Sequence, residues 1–495
     1  MHPSPTAEAE VADELAALRP DLVERYAAEL PGARAAVLTR LWRALTHEPL
    51  PWIGSRAAAG DGWVLRLRDG RRLHGPVPDP YATAAYVTVV RLDGRAYDDP
   101  ARLMADLAVP HGAELARELG HSVASSALSR AGQPAGPEDW PGRDWEWEQR
   151  VVDGHPFHPN CRARPGFTVA EQLAYAPEHR PVVDLGLVPV PAAACRVTGG
   201  WPAAWRDGAR VLMPVHPWQE THVLKRSGEQ RLPAHPLMSL RTLALPGGPH
   251  VKTALSARLT SSVRDISVGS VTAAMALSAF AEELADAQVH FTRTLGAVTD
   301  GSPELAAVLR ESPEVYAADG ERVVPVAALA GTGLPRDPGW LAELARIALT
   351  VGLRLLERGV ALEAHGQNLL VVLSASGAPL RLVYRDLADI RVGPARLARH
   401  GVALPPELPR RILTDEVTAL RRKVFGSLVG GALAGAAGSA AALRAALESV
   451  ADELPDTVDR AALLGEPLPV KALTLMRLSP GTPGDQWAEL PNPLL

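Results

Sequence analysis

Short apolar runs of strand length alternate with segments of helical period over most of this chain, and that alternation restricts it to a mixed α/β (α+β) fold. VLMPV (211–215), TLALP (242–246) and VALEAHGQNLLVVL (360–373) read as strands, whereas TAAMALSAFAEELADA and WLAELARIALTVGLRLLERG read as helices. Gly359 is placed to cap the second helix and lead into the strand that carries Glu363. Upstream, residues 7–47 predict two amphipathic helices broken near Pro31-Gly32, and GWVLRLRDGRRLHG predicts a hairpin turning at Asp69-Gly70. The hairpin's arginines read as a solvated strand face. Pro134, Pro137 and Pro141, with three tryptophans close behind, mark a connecting stretch and a soft boundary near 150. The expected regions are 1–150, 151–345 and 346–495.

At 495 residues, two or three packed subdomains sharing a cleft are expected. A balance of 51 basic and 56 acidic residues excludes a global electrostatic case for nucleic acid, so any basic site must be local. Two cysteines, Cys161 and Cys195, are too few for a disulfide framework or a zinc cluster and fit a reducing compartment. The N-terminus, acidic and without a basic-then-apolar pattern, argues against a signal peptide, which makes the cytoplasm the expected location. Residues 424–443 carry no charge but are mostly Gly, Ala and Ser, so they are read as a small-residue loop and helix and no membrane association is expected.

The polar residues concentrate after residue 150. In GHPFHPNCRARPGF, His155 and His158 each precede a proline that holds the backbone extended, and Arg162 and Arg164 follow; no Cys/His set with zinc spacing accompanies them. MPVHPWQ repeats the device at His216. PLMSLRTL would put Ser239 and Arg241 on one face if extended. VKTALSARLTSSVRDIS then supplies Lys252, Arg258, Thr260, Ser261, Ser262 and Arg264. Hydroxyls interleaved with cations in apolar sequence provide hydrogen bonds and compensating charge for a phosphate or carboxylate. Neither a P-loop nor a Rossmann glycine pattern is present. In LEAHGQNLL, Glu363 and His365 would share a strand face, and Gly366 would turn Gln367 and Asn368 toward the same space; Asp386 ends the next strand in LRLVYRDLADI. The oxygens of Glu363, Asn368 and Asp386 suit Mg²⁺ with nucleotide phosphates. The layout also resembles the metal end of kinase-like folds.

In order, GHPFHPNCRARPGF, HPWQ, SLRT, KTALSARLTSSVRDI, EAHGQNLL, YRDL and VKALTLMRL resemble the motifs of the IucA/IucC family of NRPS-independent siderophore synthetases, of the aerobactin synthetase type, from about residue 150 to 480. The resemblance implies a cupped hand of thumb (1–150), fingers (151–345) and palm (346–495), with a kinase-like palm holding the nucleotide. It implies an AMP-forming ligase that uses ATP and Mg²⁺ to adenylate a carboxylate, citrate or a citrate or succinyl derivative. An amine, hydroxylamine or alcohol then takes the acyl group, in a homodimeric enzyme of siderophore biosynthesis. It assigns His158, Ser239, Arg241, Lys252 and Arg264 to ATP, and Thr260, Arg264, His365 and Gln367 to substrate carboxylates. Glu363, Asn368 and Asp386 would hold the metal, with Arg264, His365 and Lys252 as the catalytic set. Arg162 stands where the family usually has lysine. The competing readings are a small-molecule kinase, an amide ligase making a non-siderophore product, and a binding or scaffold protein with a degenerate site.

Overall fold

Strand periodicity of two sorts the side chains of the central sheet into a dry face and a polar face, and the rest of the fold is arranged around the polar one. The computed structural model describes residues 6–136, 138–260 and 262–495, so Pro137, Ser261 and the side chain of Ser262 lie outside the described residues. The largest sheet has nine antiparallel strands, ordered 196–199, 294–299, 306–310, 250–253, 242–244, 230–236, 183–191, 210–215 and 206–207. Leu243, Val251 and Leu309 face one another in register and enter a core with Val188 and Val298.

A second sheet is ordered 289–291, 379–384, 369–373 and 322–325, with its first pair parallel and the others antiparallel. Both faces of strand Leu369–Leu373 are buried: Val371 and Leu373 pack with helix Pro338–Glu357, and Leu370 and Val372 with Val323 and Val383. This two-sided burial accounts for the unbroken run LLVVL. Gly359 follows the helix at φ 94°, the left-handed conformation that stops it as expected.

The N-terminal region holds helices Ala7–Leu18 and Val23–His47, a five-stranded antiparallel sheet over residues 53–97, and helix Gly112–Ala131. The hairpin at Asp69-Gly70 forms as expected, with Gly70 at φ 94°. The helix break differs: it falls at Arg19-Pro20, and the second helix runs through Pro31. An interior proline costs about 3 kcal/mol, less than the burial of Val37, Leu38, Leu41, Trp42 and Leu45 beyond it contributes at roughly 1.5–3 kcal/mol each.

One apolar core runs from Val11 through Leu128 to Val371, Leu428 and Leu490, so the boundary near 150 does not separate two cores. Polar ties reinforce it. Glu48 accepts from the amides of Thr474 and Leu475, and Tyr81 donates to the carbonyl of Pro491. The chargeless stretch folds as a π-helix, Phe425–Leu433, continued by Ala434–Ala437 and, after Gly438, helix Ala440–Val450. Among the described residues no single helix is long and apolar enough to cross a membrane; one pair, Val417–Ala437 and Ala440–Glu453, passes on length and composition but is bent by 116°. Much of it is buried in the main core.

Candidate active site

The polar face of the large sheet forms one wall of the site. Thr242, Lys252 and Val308 lie side by side across three strands, as do Ala244, His250 and Arg310, so the two cations emerge together opposite the dry face. Both reach Asp386, at 2.7 Å from Lys252 Nζ and 2.9 Å from Arg310 Nη2. Asp386 follows strand Pro379–Tyr384 in a left-handed conformation (φ 69°) that turns it toward the sheet. Burial pushes the Lys252 ammonium down to about 7, with Asp386 partly opposing the shift; the Asp386 carboxyl, despite its own burial, is held well below the usual range by Arg310 and Lys252. Sequence reasoning missed Arg310, whose only signal was a cation ending the apolar run AAVLR.

Ser239 and Arg241 do not lie on an extended strand. They occupy the turn between strands 230–236 and 242–244, where Leu240 takes φ 68° and Ser239 Oγ accepts from the Thr242 amide at 3.2 Å. Thr260 sits at the tip of the hairpin joining 255–259 to 262–264, at φ 57°; Arg258 is exposed beside it. Arg241 donates to the carbonyls of Arg264 and Asp265, and Arg264 to that of Leu259. Among the described residues neither guanidinium is paired with a carboxylate. Burial lowers Arg241 to about 10 and depresses Arg264 as well. The glutamine of HPWQ, Gln219, holds this hairpin through both the amide and the hydroxyl of Ser256, and that hydroxyl donates to Asp265 at 2.7 Å.

The opposite wall is the loop after strand Val360–Ala361. The strand stops there, short of the extended reading for 361–365, because the His365 amide turns back to the Glu363 carbonyl at 2.9 Å. Glu363 and His365 still meet the same space. Gly366 is required by close approach: its carbonyl accepts from Ala327, and a Cβ would stand 3.0 Å from that nitrogen. Glu363 Oε1 receives Lys471 at 2.8 Å and Lys423 at 3.2 Å; against the effect of burial these lysines hold its carboxyl at about 2. The phenol of Tyr384 accepts from the Glu363 amide and donates to the Asp386 carbonyl, tying the two acidic segments together. Asn368 Nδ2 lies 3.5 Å from the Glu363 carbonyl.

His155 and His158 stack edge to face in their loop. The amide of Asn160 donates to His158 Nδ1, so in the neutral ring Nε2 carries the proton; this atom is buried without a partner among the described residues. Burial first, then neighbouring arginines, lowers His158 to about 3, making it a neutral donor at ordinary pH. Arg162 and Arg164 share the buried Glu178, and Arg162 also donates to the carbonyls of Val151 and Val152, a fan of contacts that a lysine could not make. His216 caps the short helix Pro217–Gln219, away from this space.

All eleven residues singled out, His158, Ser239, Arg241, Lys252, Thr260, Arg264, Glu363, His365, Gln367, Asn368 and Asp386, line one cavity of about 990 Å³. That volume is at the upper end of small-molecule sites, roughly 300–1,000 Å³. Buried cations without carboxylates, together with an orphaned imidazole donor, fit a polyphosphate. The oxygens of Glu363, Asn368 and Asp386 fit a hard cation. Among the described residues no three His, Cys, Asp or Glu side chains are grouped to hold an ion unaided, so phosphate oxygens would have to complete its shell.

Residues 144–331 match the model of the IucA / IucC family, and residues 339–484 match that of the ferric iron reductase FhuF-like transporter. The second region contains no cysteine and supplies the acidic loop, Lys423 and Lys471. The citryl-spermidine/3,4-dihydroxybenzoyl-citryl-spermidine:spermidine ligase of Bacillus anthracis is 25% identical over 317 residues, 49% of this chain and 51% of that protein. Staphyloferrin A synthase of Staphylococcus aureus is 24% identical over 310 residues, 50% and 52% of the two chains. The chain spans about half the length of the curated relatives it matches. The petrobactin biosynthesis protein AsbB from Bacillus anthracis superposes with a TM-score of 0.77 at 18% identity, over 99% of this chain and 98% of that one. The ATP-bound aerobactin synthetase IucA from Klebsiella pneumoniae gives 0.67 at 19% identity, over 93% and 99%. Its central region thus matches the IucA / IucC family model, its curated relatives include siderophore synthetases, and its mixed α/β fold is shared with solved synthetases of that kind.

Proposed function

We propose that this protein is an ATP-dependent carboxylate–amine ligase of siderophore assembly, adenylating citrate or a citrate or succinyl derivative and passing the acyl group to an amine, hydroxylamine or alcohol. The observation that carries this reading is the convergence in one cavity of buried, carboxylate-free guanidinium groups with a facing acidic loop. Attack of a carboxylate on the α-phosphate of ATP brings two anions together. Arg241, Arg264 and Lys252 offset that repulsion, most strongly where water is excluded. Mg²⁺, held by Glu363, Asn368 and Asp386, would supply further charge compensation at the phosphates. His158 donates to a phosphate oxygen through Nε2. Thr260, Gln367 and His365 orient the carboxylate, and the second step needs only a neutral nucleophile held against the acyl carbon. The thumb, fingers and palm division, the homodimer and the cytoplasmic location belong to the same proposal.

A panel of di- and tricarboxylic acids with hydroxylamine as nucleophile tests it. At least one acid gives a hydroxamate with stoichiometric AMP and pyrophosphate, and Arg264→Ala and Glu363→Ala lower turnover by about 100-fold or more. ADP as the sole nucleotide product would replace the ligase by a kinase, and unchanged turnover in both variants would move the site elsewhere.

A further inference from the structure

Glu148 is sealed in the interior (1% exposed) on the short helix Asp144–Gln149, and its two carboxylate oxygens serve different walls of the cavity. Oε2 accepts from the Met238 amide at 2.9 Å, fixing the turn that carries Ser239 and Arg241. Oε1 meets Arg385 Nη1 at 2.5 Å. Arg385 in turn donates from Nε and Nη2 to the Gln367 carbonyl, at 3.1 and 2.8 Å, and its amide donates to the Asn368 carbonyl at 3.0 Å. It also immediately precedes Asp386 in the chain. One buried carboxylate therefore joins three segments that are distant in sequence: the 238–241 turn, the 367–368 loop and the 385–386 step.

We propose that Glu148 is a positioning residue that sets the spacing between the phosphate-facing turn and the carboxylate-facing loop, acting through Met238 and Arg385 without touching either substrate. The role in turnover rests on the reading of the cavity as a ligase site, and the effect on nucleotide binding on the phosphate-binding part of that reading alone. Truncating one partner of a sealed ion pair leaves the other charge uncompensated, and among the described residues Arg385 is in contact with no carboxylate but Glu148. Freed, it releases the Gln367 carbonyl, and the two walls lose their common reference.

Glu148→Gln is nearly isosteric, but its single carbonyl oxygen cannot serve both Met238 and Arg385. Arg385→Lys keeps the charge, yet one ammonium cannot reproduce the forked contact with Glu148 and Gln367. ATP affinity is read by calorimetry, and KM for ATP, KM for the acid and kcat in the hydroxamate assay, on full-length protein whose folding is checked by thermal melt. Each variant is expected to weaken ATP binding about tenfold, raise both KM values and lower kcat about 10–100-fold, the loss typical of sub-ångström to ångström misplacement. The double variant falls no further than the worse single one, because the two residues act as one unit. Wild-type ATP affinity and kcat in a folded Glu148→Gln, or multiplicative losses in the double variant, overturn the positioning role. Should Glu148→Gln fail to fold, Arg385→Lys with wild-type constants overturns it equally. A wild type that binds ATP but forms no hydroxamate would instead overturn the ligase reading, while the calorimetric comparison still decides the role of Glu148.

Discussion

An ammonium 2.7 Å from a carboxylate, yet almost sealed from water, is a poor holder of its proton. Because burial brings Lys252 to about 7, far below the usual lysine value, the unfolded chain binds one more proton than the folded one between roughly pH 7 and 10.5. The contribution of this group to stability therefore rises with pH across that window. Nucleotide affinity runs the other way, since phosphate prefers the ammonium form. ATP binding followed by calorimetry in buffers of different ionisation enthalpy should show proton uptake above pH 7 and an affinity that falls by up to about tenfold per pH unit; Lys252→Arg should flatten the profile. Lys252 was legible in the sequence only through its companions, since a lone cation there reads equally well as an exposed basic strand and the interleaved hydroxyls and arginines tip the balance. Arg310 and Glu148 were not, since their partners lie 76 and 237 residues away and only the tertiary fold makes them neighbours.

At the scale of elements, the small-residue π-helix Phe425–Leu433 is a close-packing device beside the site. A Cβ on Gly426 would stand 2.9 Å from the carbonyl of Pro469 and 3.0 Å from the Trp487 ring, both part of the strand pair 468–471 and 487–490 that carries Lys471. Gly426→Ala is expected to destabilise the protein by about 1–3 kcal/mol, measured by denaturant unfolding, and to weaken carboxylate binding as Lys471 moves from Glu363. Composition alone marked this stretch as a small-residue loop and helix; that it packs against the acidic loop required the fold. Turns were the harder reading. The spacing of Ser239 with Arg241, and of Glu363 with His365, allows either an extended strand or a tight turn. Left-handed Leu240 and the return of the His365 amide to Glu363 decide for the turn in each case. The alternation of strands and helices, by contrast, survives from sequence to structure because its strands bury apolar side chains on one face, or on both as in Leu369–Leu373.

Over the whole molecule the two regions matched by separate family models are tied by several ion pairs, among them Lys252 and Arg310 with Asp386 and Glu148 with Arg385. The N-terminal helices share one core with both regions, including residues 468–490 at the end of the second and just beyond it. A chain ended at residue 465 loses Leu468, Val470, Ala472, Leu475, Leu478, Ala488 and Leu490 from that core and strips Glu48 of both backbone donors. It is expected to be recovered insoluble or without a cooperative melt. The order of regions was legible in the motifs, but this closure of the core on itself was not, because periodicity shows which face is apolar and not what covers it.

That closure sets a timetable for synthesis. Trp42 and Leu45 leave the ribosome more than four hundred residues before Leu475 and Leu490 can cover their shared core, so the N-terminal helices must wait with apolar surface open to water. Contacts at such sequence separation make folding slow and largely post-translational. During that interval the helices are natural clients for a chaperone that holds apolar segments apart, and the yield of native protein should depend on elongation being completed as much as on the stability finally reached.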